Sequence, residues 1–163
     1  MDISWKKIIH KVAKLRDVST IGITDTVASA ISAVFWFYMA ALLGAEQYGE
    51  ISYFLAIAGL ASSLAMLGSD NVLMVYPAKN VKIQSTIYFV TSISGSIASI
   101  VIFLLFYNVE TSILLLGYVI FGLAGHEILG RKLYRTYSKF LITQRVLMVV
   151  LAIGLYYILG PQG

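Results

Sequence analysis

The chain has 163 residues, of which 59% are hydrophobic and 12% charged. That is about half the ~25% charge of a soluble domain, and the apolar residues fall in long runs, so lipid must cover what water cannot. The absence of Cys excludes a disulfide framework, a thiolate metal site and a Cys nucleophile, and two His give no basis for a His-based metal or acid–base centre. The predicted class is an all-α, polytopic integral membrane bundle of about five transmembrane helices.

Residues 1–17 read as a cytoplasmic, basic, amphipathic segment. Trp5, Ile8, Ile9, Val12 and Leu15 recur at helical spacing, and Lys6, Lys7, Lys11, Lys14 and Arg16 fill the other side. Such a helix lies on an anionic membrane surface or orients the span behind it. The apolar stretch that follows is too long for a signal peptide.

Residues 18–163 read as the transmembrane bundle. The first span, 18–43, exceeds the roughly 20 residues a bilayer requires. It contains one acid, Asp25, between Thr24 and Thr26, and it ends near Trp36, Phe37 and Tyr38, rings that favour the headgroup zone. Two readings of Asp25 stand open. It is either a buried ion-binding acid about 10 Å into the hydrocarbon, or the N-cap of a shorter span starting at Val27. The corner 44–49 is expected to be a turn.

The second span, 51–67, carries Ala58, Gly59, Ser62 and Ser63, small side chains that let helices approach in lipid. Gly68-Ser69-Asp70-Asn71 is expected to break the helix, and Pro77 to stop the apolar piece before it. The third span, 83–106, has a stripe of Ser92, Gly95, Ser96 and Ser99. After a turn over 107–112 comes the fourth span, 113–129, closed by His126 and Glu127, which read as a cap or a proton relay. The fifth span, 140–159, has Arg145 in its first turns, with Tyr134 and Tyr137 ahead of it as interface anchors.

Topology follows from the bases. Five lie in the N-terminal arm; Lys79 and Lys82 follow the second span; Arg131, Lys132, Arg135, Lys139 and Arg145 surround the start of the fifth. The other connections have none. Bases stay on the cytoplasmic side, so the N-terminus is expected inside and the C-terminus outside the cytoplasmic membrane.

The corner Leu42-Leu43-Gly44-Ala45-Glu46-Gln47-Tyr48-Gly49 resembles the "LGPEEYG"-like corner of polysaccharide-biosynthesis flippases. Leu67-Gly68-Ser69-Asp70-Asn71-Val72-Leu73 and the basic Gly130-Arg131-Lys132-Leu133-Tyr134-Arg135 are also similar to theirs. These flippases belong to the multidrug/oligosaccharidyl-lipid/polysaccharide exporter superfamily. The resemblance implies part of the N-terminal bundle of a transporter resembling the multidrug-and-toxin extruders, flipping lipid-linked oligosaccharide or polysaccharide precursors. The family pattern is two six-helix bundles, often with two extra helices. Five spans depart from it, so the chain is expected to be an N-terminal portion. Implied partners are membrane lipids, a lipid-linked oligosaccharide and glycan-assembly membrane proteins.

Candidate substrate- or ion-binding residues are Asp25, for coupling to H⁺ or Na⁺, and Arg145, for phosphate. Arg131, Lys132 and Arg135 would gather anionic headgroups. Each base has a plainer reading, as a snorkelling anchor or an ordinary cytoplasmic loop. No cofactor, metal or nucleic-acid partner is expected. There is no P-loop, and no acid pair or nucleophile arrangement points to an enzyme. Two other functions stay open: an extruder of drugs or organic cations, and a small membrane scaffold that does not transport.

Overall fold

A computed structural model describes residues 2–77 and 83–159, with side chains described for 19–77 and 83–158. Five helices follow one another: α1 (Asp2–Ala65), α2 (Ser69–Val75), α3 (Gln84–Phe106), α4 (Val109–Gly130) and α5 (Tyr134–Leu159). There is no strand among the described residues. Four helices are long and apolar enough to cross a membrane, so the chain is a multi-pass, membrane-embedded helical protein. The side chains of the basic arm, Lys79 and Lys82, and residues 160–163 lie outside the described residues.

The structure counts four such helices where the sequence predicts five spans, because the first two spans belong to α1. Its apolar part, Ser19–Ala65, has 47 residues. At 1.5 Å per residue that is about 70 Å, more than twice the ~30 Å of a hydrocarbon core. The expected turn at 44–49 is helical except at Gly44, whose φ of 76° and ψ of 172° interrupt α1. Only a residue without a Cβ takes that conformation without strain. Gly44 thus divides α1 into two legs, each about one bilayer long.

The described residues form two compact units. One contains the first leg of α1, through Leu42, together with α5; the other runs from Leu43 to Leu133.

In the first unit the two helices run parallel. Thr24 Oγ1 lies 2.7 Å from Ser138 Oγ near one end, and Tyr38 Oη 3.0 Å from Tyr157 Oη near the other. Thr24, Ala28, Phe35 and Met39, at steps of four and seven, form the buried stripe of α1. No described residue of α5 is buried.

In the second unit, Ala58, Ala65, Leu73, Ile102, Leu115, Val119 and Leu123 form one apolar core. The sequence predicts correctly that small residues let these helices approach, but assigns some to the wrong face. On α3 the buried stripe is Thr91, Gly95, Ser99 and Ile102; Ser92 and Ser96 are exposed. On α1 it is Ala58, Ser62 and Ala65, and Ser63 is exposed. Gly130 makes the tightest approach. A Cβ built there would lie 2.0 Å from the Leu73 carbonyl oxygen, so α2 rests on bare backbone.

Three further boundaries differ. The break expected at Gly68-Ser69-Asp70-Asn71 is present but lies slightly earlier: α1 ends at Ala65, Leu67 (φ 49°) and Gly68 (φ 76°) turn the chain, and Ser69-Asp70-Asn71 already belong to α2. The turn predicted over 107–112 contracts to Tyr107 and Asn108. The Asn108 side chain accepts from the Thr111 N–H at 2.8 Å and caps α4. Helix α5 starts at Tyr134 instead of 140, because hydropathy marks where lipid begins and a helix continues beyond it.

Candidate functional site

The polar groups of the first unit gather where α1 meets the start of α5. The interior of α1 passes through Asp25 without a break. That removes the N-cap reading and leaves a carboxylate within a helix. Thr24 is buried, and its hydroxyl donates to the Thr20 carbonyl oxygen at 2.7 Å besides meeting Ser138. Thr26 is bonded to the Gly22 carbonyl in the same way, at 2.8 Å. Both threonines are thus satisfied within their own helix, as hydroxyls in apolar helices require.

Asp25 is exposed on the surface of the helix pair and accepts a hydrogen bond from the Tyr137 hydroxyl at 3.2 Å. The sequence marks Tyr137 only as an interface anchor; the structure makes it the partner of the acid. Arg145 stands two turns further along the same face of α5, at i+8. Long side chains on a helix lean toward its N-terminus, which for Arg145 is the direction of Tyr137. Its Nε is buried and has no hydrogen-bond partner among the described residues.

Asp25 precedes Tyr38 by about 20 Å of helix and Arg145 precedes Tyr157 by about 18 Å, so the two charged residues lie at similar distances along their helices from the tyrosine pair.

The other candidates are dispersed. Arg131 belongs to the second unit and is paired with Glu127, Nη2 to Oε1 at 2.5 Å, an i,i+4 contact. The other oxygen of Glu127 accepts from the Tyr88 hydroxyl of α3 at 2.5 Å. Arg131 therefore serves a clamp that ties the end of α4 to α3. Lys132, at φ 59°, and Leu133 form the exposed connection to α5. Arg135 is exposed on the first turn of α5. His126 contacts the Gly122 carbonyl oxygen through Nδ1 at 2.7 Å, which ties the ring to its own helix and away from a relay with Glu127. Among the described residues no group of three His, Asp or Glu is placed to hold a metal ion.

The Glu127–Arg131 pair was visible as i,i+4 spacing. Its third member, Tyr88, had no such signal, and neither did the pairing of Thr24-Asp25 with Tyr137-Ser138. No family model, curated protein or solved structure matches the chain.

Proposed function

We propose that this chain is a helical bundle of a membrane transporter that moves an anionic, lipid-linked headgroup of the polysaccharide-precursor kind across the cytoplasmic membrane. The observation that carries the reading is Arg145. A guanidinium within an apolar helix costs several kcal/mol, and here its buried Nε has no partner among the described residues. An anion such as a phosphate or pyrophosphate would satisfy it with charge-assisted bonds. Asp25, bonded to Tyr137 two turns from Arg145 along α5, supplies a carboxylate that can take up H⁺ or Na⁺ and so link ion binding to release of the anion. The basic residues favour an N-terminus in the cytoplasm, and with five crossings the far end of α5 is then external.

An organic-cation extruder is the second reading, and the exposed carboxylate of Asp25 is the observation that favours it. Arg145 weighs against it, because a cation would meet a like charge in the same unit.

Binding to the purified protein in lipid nanodiscs tests the choice. An isoprenyl pyrophosphate is expected to bind, and Arg145→Ala to weaken it by about 10- to 100-fold, the value of a hydrogen bond to a charged group. Arg145→Lys should retain an intermediate affinity, since a point charge replaces a fork. Binding of a lipophilic cation with no response to pyrophosphate would overturn the proposal.

A further inference from the structure

The chain passes between the two units twice, from Leu42 to Leu43 and from Leu133 to Tyr134. Each passage lies within two residues of a backbone in the positive-φ region. At the first, Gly44 has φ 76° and ψ 172°, a combination essentially reserved for glycine. Nothing among the described residues lies within 4 Å of where its Cβ would stand, so conformation and not packing calls for glycine there. At the second, Lys132 has φ 59°, which L-residues seldom take. The Lys132 N–H donates to the Leu129 carbonyl oxygen at 2.9 Å and the Leu133 N–H to that of Ile128 at 3.1 Å. That is the Schellman closure of α4. Helix α5 begins at the next residue, Tyr134. One or two residues thus carry each passage, as in hinges between rigid elements.

The first unit is fastened at both ends, by Thr24 with Ser138 and by Tyr38 with Tyr157. Leu42 lies one turn beyond the tyrosine contact, and Tyr134 one turn before the Thr24–Ser138 contact. The two links therefore stand at opposite ends of the helix pair, and on different helices. From this placement we infer that the first unit turns as a rigid body about the line from Gly44 to Lys132. Two pivots leave a rigid body a single rotation, about the line through them. The line crosses the pair diagonally, from the end of the first leg of α1 to the start of α5. The stretch around Ile23 and the far end of α5 lie off it on opposite sides, so these ends swing and the linked ends do not. The motion reorients the exposed Asp25 carboxylate without breaking its bond to Tyr137, because both belong to the turning unit. It holds whatever the protein carries.

Pulsed electron–electron double resonance on the full chain in phosphatidylcholine nanodiscs tests the axis. The chain has no Cys, so introduced cysteines are its only label sites. Leu60→Cys is the reference in the second unit. It is paired in turn with Ile23→Cys and Ile158→Cys at the swinging ends, and with Ala41→Cys and Thr136→Cys beside the links; all five positions are exposed. Ile23→Cys with Ile158→Cys, inside one unit, gives the width of a rigid pair. Distances from Leu60 are expected to be broad or split for Ile23 and Ile158, and as narrow as the rigid pair for Ala41 and Thr136. Gly44→Ala introduces no clash but disfavours the backbone seen at that link. It should change the ratio of orientations at both swinging ends by roughly 5- to 100-fold and leave the rigid pair as it was. Narrow distances at all four sites would overturn the rotation. Broadening at one end only would mean a tilt about one link, and broadening at all four an untethered unit; either overturns the axis. These four pairs are read with Gly44 intact, so the outcome does not depend on how the alanine variant folds.

Discussion

The two units solve the problem of polar groups in lipid in opposite ways. In the second unit, polar side chains close on one another. Ser69 and Thr91 share a bond of 2.6 Å, Ser99 donates to the Ser112 carbonyl oxygen at 3.0 Å, and both Glu127 oxygens are occupied. Around them lies a core in which Leu73, Leu115 and Ala58 are fully buried. In the first unit, among the described residues, α5 has no buried residue, the Asp25 carboxylate is exposed, and Arg145 Nε has no partner. The contrast between a closed polar network and an open one can be tested by mutation.

The largest expected effect is in the second unit. Gly130→Ala puts a methyl into the Leu73 carbonyl. It should cost ~3 kcal/mol or more of stability, the upper end for overpacking, read as loss of the thermal transition in detergent. Gly22→Ala, with nothing within 4 Å of the added carbon, is the neutral control. Equal effects from the two would erase the distinction between the units.

Next comes the clamp. Tyr88→Phe removes a hydrogen bond to a carboxylate and should lower stability by about 1.5–3 kcal/mol. Arg131→Ala should cost less than ~1 kcal/mol, because its side chain is 54% exposed against 19% for Glu127 and solvent screens the pair. The reverse order would make Arg131 the principal partner of Glu127.

In the first unit the expected stability effects are smaller and the functional ones larger. Thr24→Val deletes one interhelical hydroxyl contact, worth about 0.6 kcal/mol by analogy with other membrane helices. Asp25→Asn should leave insertion and thermal stability within ~0.5 kcal/mol of wild type. It should nonetheless abolish the dependence of transport on the driving ion, measured as uptake into vesicles with and without a gradient. Flipping that kept its ion dependence would remove Asp25 from the mechanism.

Much of this was legible in the chain itself. The span 83–106 matches α3 to within a residue, because a run of apolar residues in lipid has one stable form. The two charges in apolar runs, Asp25 and Arg145, were visible for the same reason. What the sequence could not resolve was Gly44. A Gly-rich corner reads as a loop, yet here one residue departs from helical geometry and its neighbours do not. Nor could it show that Asp25 meets Tyr137, 112 residues away, since no local pattern specifies which helices pair. The small-residue stripes were half right, with Gly95, Ser99, Ala58 and Ser62 buried and Ser92, Ser96 and Ser63 exposed, because small side chains on adjacent positions offer two possible faces and only packing chooses.

The distance along the chain between Thr24 and Ser138, 114 residues, also bears on synthesis. A ribosome adds about 5–20 residues per second, so Thr24 and Asp25 leave it roughly 6–23 s before their partners are made. Through that interval Asp25 exists without the Tyr137 hydroxyl that bonds it in the finished fold.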